Sequence, residues 1–436
     1  MDNKILLWWL RPEIVMACLA FGWHTVMAAP VDDGFNREPQ LTSARLVDAV
    51  LNRNPDIPAM RAAWEAAQAR IEQAGALNDP MMSYAFAPQT AGASGMDFGQ
   101  KLSISQHLPW PGKRELRGDA ARFESEAAHE GIEQTRLKLT EAAKSAFADW
   151  YFVHAAIRVN AINKSLLQEF RNIAEIKYSA GRASKQDALR AEVEVALLEH
   201  RDIVLERHRR EVLAVLNTLL QRQPDALLPP PSNLPDTGVL PAVAELRTAV
   251  LEVHPELRAL AARLQASRQQ VALAEREFYP DFRLAAEYNS LWMRDEQRFT
   301  VGVGINIPLP GKHRAAKDEA QAILMGLDLT RQARMSEIMG QVQQAYDRVR
   351  ESEHVLSLYQ NRLLPLAEEN LAAARSDYEA GRGNFLDMIG AEKNLMQAQL
   401  QLEQARTDHH RRLAALERTV GGPQALQGIQ SWGIKQ

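Results

Sequence analysis

Residues 46–55 read LVDAVLNRNP, and residues 246–255 read LRTAVLEVHP. The offset of 200 between these segments persists along the chain. Pro80 matches Pro280, and Tyr-x-x-Gly-Arg at 178–182 matches the same motif at 378–382. Pro-Gly-Lys at 111–113 matches Pro-Gly-Lys at 310–312, one residue out of step. Asp187 likewise matches Asp387. Such self-similarity predicts two tandem copies of one structural unit.

The repeat divides the chain into five expected segments. Residues 29–222 form the first repeat and residues 242–422 the second, with a C-terminal tail at 423–436. A Pro-rich linker at 223–241 separates the repeats, because its three consecutive prolines at 229–231 fit neither a helix nor a central strand. Residues 1–28 read as a secretory signal peptide, with positive residues, a short apolar run and small residues in order. Cys18, within this segment, is the only cysteine in the 436-residue sequence.

The pattern in each repeat predicts the same order of elements: a helix, two short strands, a very long helix, a tight turn and a returning helix. The first helices span about 44–78 and 245–278, and the long helices about 114–179 and 315–379. The first returning helix spans about 184–221. Apolar residues in the first long helix recur every three or four positions, as in a coiled coil: Leu139, Ala143, Ala146, Trp150, Val153 and Ile157. Gly181 and Gly381 are expected to end the long helices as left-handed caps, and Pro365 to kink the second.

Alternating apolar residues mark the strands between the helices. Residues 299–307 place Phe299, Val301, Val303, Ile305 and Ile307 on one face and Thr300, Gly302, Gly304 and Asn306 on the other. An ordinary half-buried sheet gives the same pattern. Beyond residue 40 no apolar stretch is long enough for a transmembrane helix, so a membrane-spanning part requires a closed β-barrel. Four strands are too few to close one, which predicts an oligomer.

Composition excludes other classes of protein. Of 436 residues, 46% are hydrophobic and the net charge is −4, which rules out a disordered chain. The 51 Lys and Arg are outnumbered by 55 Asp and Glu, which argues against a nucleic-acid partner. The chain lacks a nucleophile–base arrangement and a His, Cys, Asp or Glu cluster of recognised spacing. We therefore predict no enzyme activity, no cofactor and no protein-bound metal.

The paired motifs LPWPGK at 108–113 and IPLPGK at 307–312, with Tyr-x-x-Gly-Arg at the helix ends, resemble the TolC-like outer-membrane efflux channels. The Pro-Gly-Lys openings are most similar to the heavy-metal branch. The resemblance implies a mainly α protein with a small β part, in the outer membrane of a Gram-negative bacterium. It also implies a homotrimer, in which a twelve-stranded barrel is continuous with a periplasmic helical tunnel. Implied partners are lipid, a periplasmic adaptor and an inner-membrane pump, with the RND type expected.

The resemblance also implies a gate at the periplasmic tip. By motif position, Asp387 and Tyr378 match the acidic and tyrosine elements of that gate, and Asp187 is the counterpart of Asp387. One of Arg182, Arg190 or Arg382 is expected to pair with these carboxylates. Gly181, Arg182, Gly381 and Arg382 are candidate adaptor contacts, although both arginines also suit solvated helix ends. We predict passive export of substrates, with heavy-metal cations as candidates. The alternative is a structural periplasmic coiled-coil protein without a pore.

Overall fold

The computed structural model describes residues 35, 38–91, 98–236, 238–292 and 297–423. The predicted signal peptide at 1–28 and all but the first residue of the predicted C-terminal tail lie outside the described residues. The described chain is mostly helical, with one small sheet, which confirms the coarse fold class. Within that part of the chain, no α-helix combines the length and hydropathy needed to cross a membrane.

Two very long helices dominate the structure. Helix α3 spans Lys113–Ser179, 67 residues, which is about 100 Å at 1.5 Å per residue. Its counterpart is nearly continuous, with α7 at Pro310–Leu358, a π-helical turn at Tyr359–Leu363 and α8 at Leu364–Glu379. The second long helix therefore begins five residues before the predicted start at 315. The π-turn ends two residues before Pro365, which cannot donate the backbone hydrogen bond that an α-helix requires.

The returning helices are α4 at Lys185–Leu219 and α9 at Phe385–Thr419. Each forms a hairpin with the long helix that precedes it. The predicted single helices at 44–78 and 245–278 are each two helices, and that prediction is wrong. Helix α1 spans Ser43–Arg53, α2 spans Asp56–Gly75, α5 spans Val243–Val253 and α6 spans Pro255–Arg276. Asn54 and His254 are extended at the breaks because a following proline disfavours the helical conformation.

Four antiparallel strands form a single sheet in chain order: β1 at Met81–Ala87, β2 at Gly99–Leu108, β3 at Phe282–Asn289 and β4 at Phe299–Ile305. The register aligns apolar residues on one face, with Tyr84 opposite Leu102 and Leu284 opposite Val303. The other face is polar. Ser83 and Ser103 share a hydrogen bond of 2.8 Å there, and Lys101 forms a 2.9 Å ion pair with Glu287.

Strand β4 ends two residues before the predicted position 307, because Asn306 leaves the ladder. Its side-chain oxygen accepts a hydrogen bond from the Asp281 backbone, and its own backbone N–H donates to the Asp281 carbonyl at 3.2 Å. Asn306 therefore belongs to the junction between sheet and helices, and not to the polar face of the strand as its alternation predicts.

Three separate hydrophobic clusters stabilise the long helices along their length. The first surrounds Trp150 and Leu216 and contains the apolar stripe predicted in α3. The second lies near the helix turns, around Phe170 and Met388, and the third joins α5, α6, α7 and α9 around Val342. The linker packs on the first cluster, where Trp150 Nε1 donates to the Pro229 carbonyl at 3.0 Å.

A buried lysine connects the two halves of the chain where the sheet meets the helices. Lys113, the first residue of α3, is fully buried. Its Nζ donates to Asp281 Oδ1 at 2.8 Å, to Glu277 Oε2 at 3.0 Å and to the Tyr279 carbonyl at 3.0 Å. Asp281 Oδ1 also accepts from the Trp110 backbone N–H at 2.8 Å. This ionic junction fixes the start of α3 against the end of α6 and the start of β3.

Candidate functional site

The two helical hairpins turn at the end of the molecule opposite the sheet, and we call this region the tip. Gly181 and Gly381 have φ values of +70° and +77°, which glycine adopts without strain. The Arg182 N–H donates to the Lys177 carbonyl at 2.8 Å, and the Arg382 N–H donates to the Asp377 carbonyl at 2.9 Å. These bonds complete a Schellman motif in each hairpin, as the sequence predicted.

Both returning helices begin with a side-chain cap and an acidic first turn. Ser184 accepts a hydrogen bond from the Gln186 N–H at 3.1 Å, and Asn384 accepts one from the Asp387 N–H at 2.9 Å. Asp187 and Asp387 lie in these first turns, where the positive end of the helix dipole favours a carboxylate. Asp187 is half-buried and Asp387 is exposed.

Tyr378, at the end of α8, is the best-packed of the predicted tip residues, with 5% of its surface exposed. Its ring meets the Phe385 ring edge-on at 5.3 Å between centroids, and the Lys177 Nζ lies 4.4 Å from the ring centroid. Burial, followed by the nearby Asp187 carboxylate, raises the pKa of Tyr378 to about 12. The Tyr378 hydroxyl lacks a hydrogen bond of ordinary geometry to any described residue, so its interaction with Asp187 is chiefly electrostatic.

The structure thus brings Asp187 and Tyr378 together, whereas the other predicted residues lie apart. Among the described residues no arginine forms an ion pair with Asp187. Arg190 is half-buried on α4, Arg182 is exposed, and Arg382 Nη2 donates to Asp377 Oδ1 at 3.2 Å within its own turn. Tyr178, the repeat partner of Tyr378, is 49% exposed. Equivalent positions of the two predicted repeats therefore have different surroundings.

Sequence reasoning missed Lys177 and Phe385, which complete the cluster around Tyr378. Lys177 lies one position before the first Tyr-x-x-Gly-Arg motif, and the residue at the matching position of the second motif is Asp377. This reversal of charge between otherwise matching motifs was the available signal. Phe385 gave a similar signal, because the residue at the matching position of the first repeat is Lys185, which is charged and not aromatic.

Glu392 is a buried carboxylic acid that lies on α9 just above the tip, with 1% of its surface exposed. Burial and the neighbouring Glu194 carboxylate raise the pKa of Glu392 from 4.5 to about 7, against the opposing effects of Lys393 and Arg201. The Glu392 Oε1 atom has no hydrogen-bond partner among the described residues, while Lys393 Nζ binds Glu194 at 2.6 Å. Above pH 7 the Glu392 carboxylate is ionised in a buried position where neighbouring groups compensate its charge poorly.

Glu392 should therefore make stability pH-dependent. Because its pKa is higher in the folded state, the folded chain holds an extra proton between pH 4.5 and 7. The free energy of unfolding should fall by up to about 3 kcal/mol as pH rises through this window, at about 1.4 kcal/mol per pKa unit. We expect Glu392→Gln to remove that contribution, measured by denaturant titration at several pH values. Glu192→Gln, at the exposed matching position, is the control; identical pH profiles for Glu392→Gln and wild type would contradict the assignment.

Among the residues that the structure describes, no group of three or more His, Cys, Asp or Glu side chains is placed to hold a metal ion. The adjacent His409 and His410 are far from the tip in α9, and His409 Nδ1 lies 3.0 Å from the Ser352 hydroxyl. The tip instead consists of helix ends held by caps, one aromatic pair and a few charges.

Comparison with known sequences gives one family. The sequence profile described as outer membrane efflux protein matches residues 46–220 and 246–422. Nodulation protein T from Rhizobium leguminosarum bv. viciae is 23% identical over 388 residues, covering 82% of this chain and 78% of that protein. The cobalt-zinc-cadmium resistance protein CzcC from Cupriavidus metallidurans is 23% identical over 300 residues, covering 66% and 69% of the respective chains.

Comparison with solved structures gives the same fold. The outer-membrane channel OprN superimposes with a TM-score of 0.73 over 87% of this chain and 90% of its own, at 21% sequence identity. At that identity the likeness concerns the fold alone.

Proposed function

The chain belongs to the outer membrane efflux protein family, and from that premise we propose that three copies assemble into one continuous export channel. Proteins of this family lie in the Gram-negative outer membrane, with a large helical part in the periplasm. Each chain, built as two tandem repeats, would contribute four strands to a twelve-stranded barrel and two hairpins to a helical tunnel. The barrel would release substrates that enter the tunnel from the periplasm or from a pump.

The observation that carries this proposal is the state of the sheet's two edges. β1 and β4 are the outer strands of the sheet, and neither has a second partner strand among the described residues. Their apolar side chains are open to solvent in a single chain; Val303, for example, is 66% exposed. An exposed apolar edge strand is a template for pairing with another chain. Pairing β4 of one copy with β1 of the next would satisfy both edges and close the sheet.

The apolar face of that barrel would contact lipid, and the polar face carrying Lys101 and Glu287 would line the lumen. The tips would then form the narrow periplasmic end. We propose that Asp187 and Tyr378 belong to the gate there, with Asp387 and Arg190 nearby, and that an adaptor protein contacts the turns at Gly181, Arg182, Gly381 and Arg382. An inner-membrane pump, of the RND type in our proposal, would supply the energy.

Small cations, including heavy-metal ions, are the cargo that the tip suits best. Three chains would place six carboxylates near the narrow end, one from each Asp187 and each Asp387. Rings of carboxylates raise the local concentration of cations and disfavour anions. The likeness to a protein named for cobalt, zinc and cadmium resistance supports this class of cargo.

Single-channel recording in planar lipid bilayers tests the gate. We expect Asp187→Ala to increase the open population roughly fivefold to tenfold, the effect of losing one interaction of about 1–1.4 kcal/mol that involves a charge. Asp387→Ala should have little effect on opening because that side chain is exposed. Both variants should show weaker cation selectivity, measured as the reversal potential across a salt gradient.

The controls separate the gate from the channel. Unchanged opening and selectivity in well-folded Asp187→Ala and Asp387→Ala proteins would leave these carboxylates with no role beyond stabilising the starts of their helices. Absence of any conductance from wild-type protein, with solubility in the absence of detergent, would instead favour the pore-free coiled-coil alternative. Native mass spectrometry of the detergent-solubilised protein would measure the number of chains independently.

A further inference from the structure

Lys177 connects the two hairpins of one chain at the tip. It lies in the last turn of α3, and its side chain extends to the end of α8 in the other half of the molecule. The Lys177 Nζ donates hydrogen bonds to the Tyr378 carbonyl and, at 3.1 Å, to the Glu379 carbonyl. The same ammonium group lies 4.4 Å from the centroid of the Tyr378 ring.

These contacts combine three favourable interactions at one helix end. The last four carbonyls of an α-helix have no partner within the helix, and the helix dipole makes this end negative. A lysine that donates to such carbonyls adds to the cap, in which the Tyr378 carbonyl also accepts from the Gly381 N–H at 3.1 Å, and it offsets the negative end of the dipole. A cation beside an aromatic ring adds a further attraction. Lys177 thus caps a helix that does not belong to its own hairpin.

The corresponding contact is chemically impossible at the matching position of the second motif. Asp377 has a carboxylate there, which cannot donate a hydrogen bond to a carbonyl oxygen. Asp377 instead accepts from Arg382 at 3.2 Å within its own hairpin. Tyr178, whose counterpart Tyr378 is covered by Lys177, remains 49% exposed.

We propose that Lys177 is a positioning residue that latches the second hairpin to the first, and that the tip opens by releasing this latch. The proposal rests on the channel function proposed above, because only a channel has a tip that must open. Around a trimeric tip, three latched contacts within chains would alternate with three contacts between chains that carry Asp377 and have no latch. Motion should therefore start between chains, and full opening should require release of Lys177.

The test compares three variants of the full-length protein in detergent and in planar bilayers. Lys177→Met keeps the aliphatic stem and removes the ammonium group, while Lys177→Arg keeps a cation that can cap carbonyls and lie over the ring. Lys185→Met is the matched control. Lys185 is exposed at the start of α4, so this change removes the same charge from the same tip without removing a latch.

Hydrogen–deuterium exchange measures the latch directly. We expect backbone amides in residues 372–386 to exchange about fivefold to tenfold faster in Lys177→Met, as local opening of the α8 end becomes easier. Lys177→Arg should restore most of the protection, and Lys185→Met should leave it unchanged. In bilayers, the open population should rise in Lys177→Met by a similar factor and return towards wild type in Lys177→Arg.

The possible results distinguish failure of the latch from failure of the proposed channel function. Unchanged exchange and conductance in Lys177→Met would overturn the latch while leaving the channel intact. Equal effects of Lys177→Met and Lys185→Met would also overturn it, because net charge alone would then explain them. Faster exchange with no conductance in any protein, wild type included, would keep the contact but contradict the proposed channel and hence a latch that gates it.

Discussion

Lys113→Met is expected to lower the free energy of unfolding by about 3–5 kcal/mol, because it leaves the buried Asp281 carboxylate without its ammonium partner. The Lys113 ammonium group has three acceptors within 3.0 Å, two of them the carboxylates of Asp281 and Glu277. Glu277 keeps its ion pair with Arg117 Nη2 at 3.2 Å, whereas Asp281 loses its 2.8 Å contact with the Lys113 ammonium group. Denaturant titration followed by far-ultraviolet circular dichroism, on protein in detergent, measures the loss.

Lys312→Met is the matched control for this prediction. Lys312 is at the corresponding position of the second Pro-Gly-Lys motif and is exposed. In the first half of the chain, Leu77 and Met81 are at the positions that correspond to Glu277 and Asp281. These positions therefore offer Lys312 no similar carboxylate cluster. Its replacement should change the unfolding free energy by no more than about 0.5 kcal/mol. Equal losses in the two variants would show that the Lys113 ion cluster is not the source of the stability.

Val303→Arg is expected to make folding into the membrane less favourable by about 2–4 kcal/mol, because it would place a cation on the proposed lipid face near the bilayer midplane. Val303 lies in the middle of β4, opposite Leu284 and on the same face as Tyr84 and Leu102. The yield of folded oligomer in outer-membrane fractions, and its resistance to denaturant, measure the effect.

Thr300→Arg provides the control on the opposite face of the same strand. Thr300 is paired with Glu287, whose carboxylate also binds Lys101, so an arginine there would face an acidic neighbour and the proposed lumen. This variant should fold with a yield close to that of wild type. Asn306→Arg, which strand alternation alone suggests as the control, would instead remove the hydrogen bond to Asp281. Equal yields of Val303→Arg and Thr300→Arg would contradict the assignment of the lipid face.

Local features of the fold could be predicted from the sequence because their causes are local. The long helix α3 was predicted to within one residue, since its apolar stripe and the glycine after it mark both its face and its end. Strand β4 was located by alternation alone, to within two residues of its end. The breaks at Asn54 and His254 were missed although a proline follows each, because the helical periodicity continues on either side of them.

The candidate site was predictable only in part. Asp187 and Tyr378 were chosen from the sequence by their motif positions, and the structure places them side by side. Lys177 could not be placed there from the sequence, since its contact is with α8, some 200 positions away. Arg190 had no feature that distinguished it from Arg182 or Arg382. Glu392 reads in the sequence as one more charged residue on a helix, and only the packing of α9 buries it.

The sequence by itself determined the type and order of the strands and long helices, because helix periodicity, strand alternation and glycine or proline positions act within a few residues. Tertiary structure alone decided which of two matching residues is buried. Tyr178 and Tyr378 occupy the same position in their motifs, yet one is exposed and the other buried. The same holds for Lys312 and Lys113. The physical reason is that each half of the chain packs one face on the other half and leaves its matching face open, so identical residues meet different neighbours.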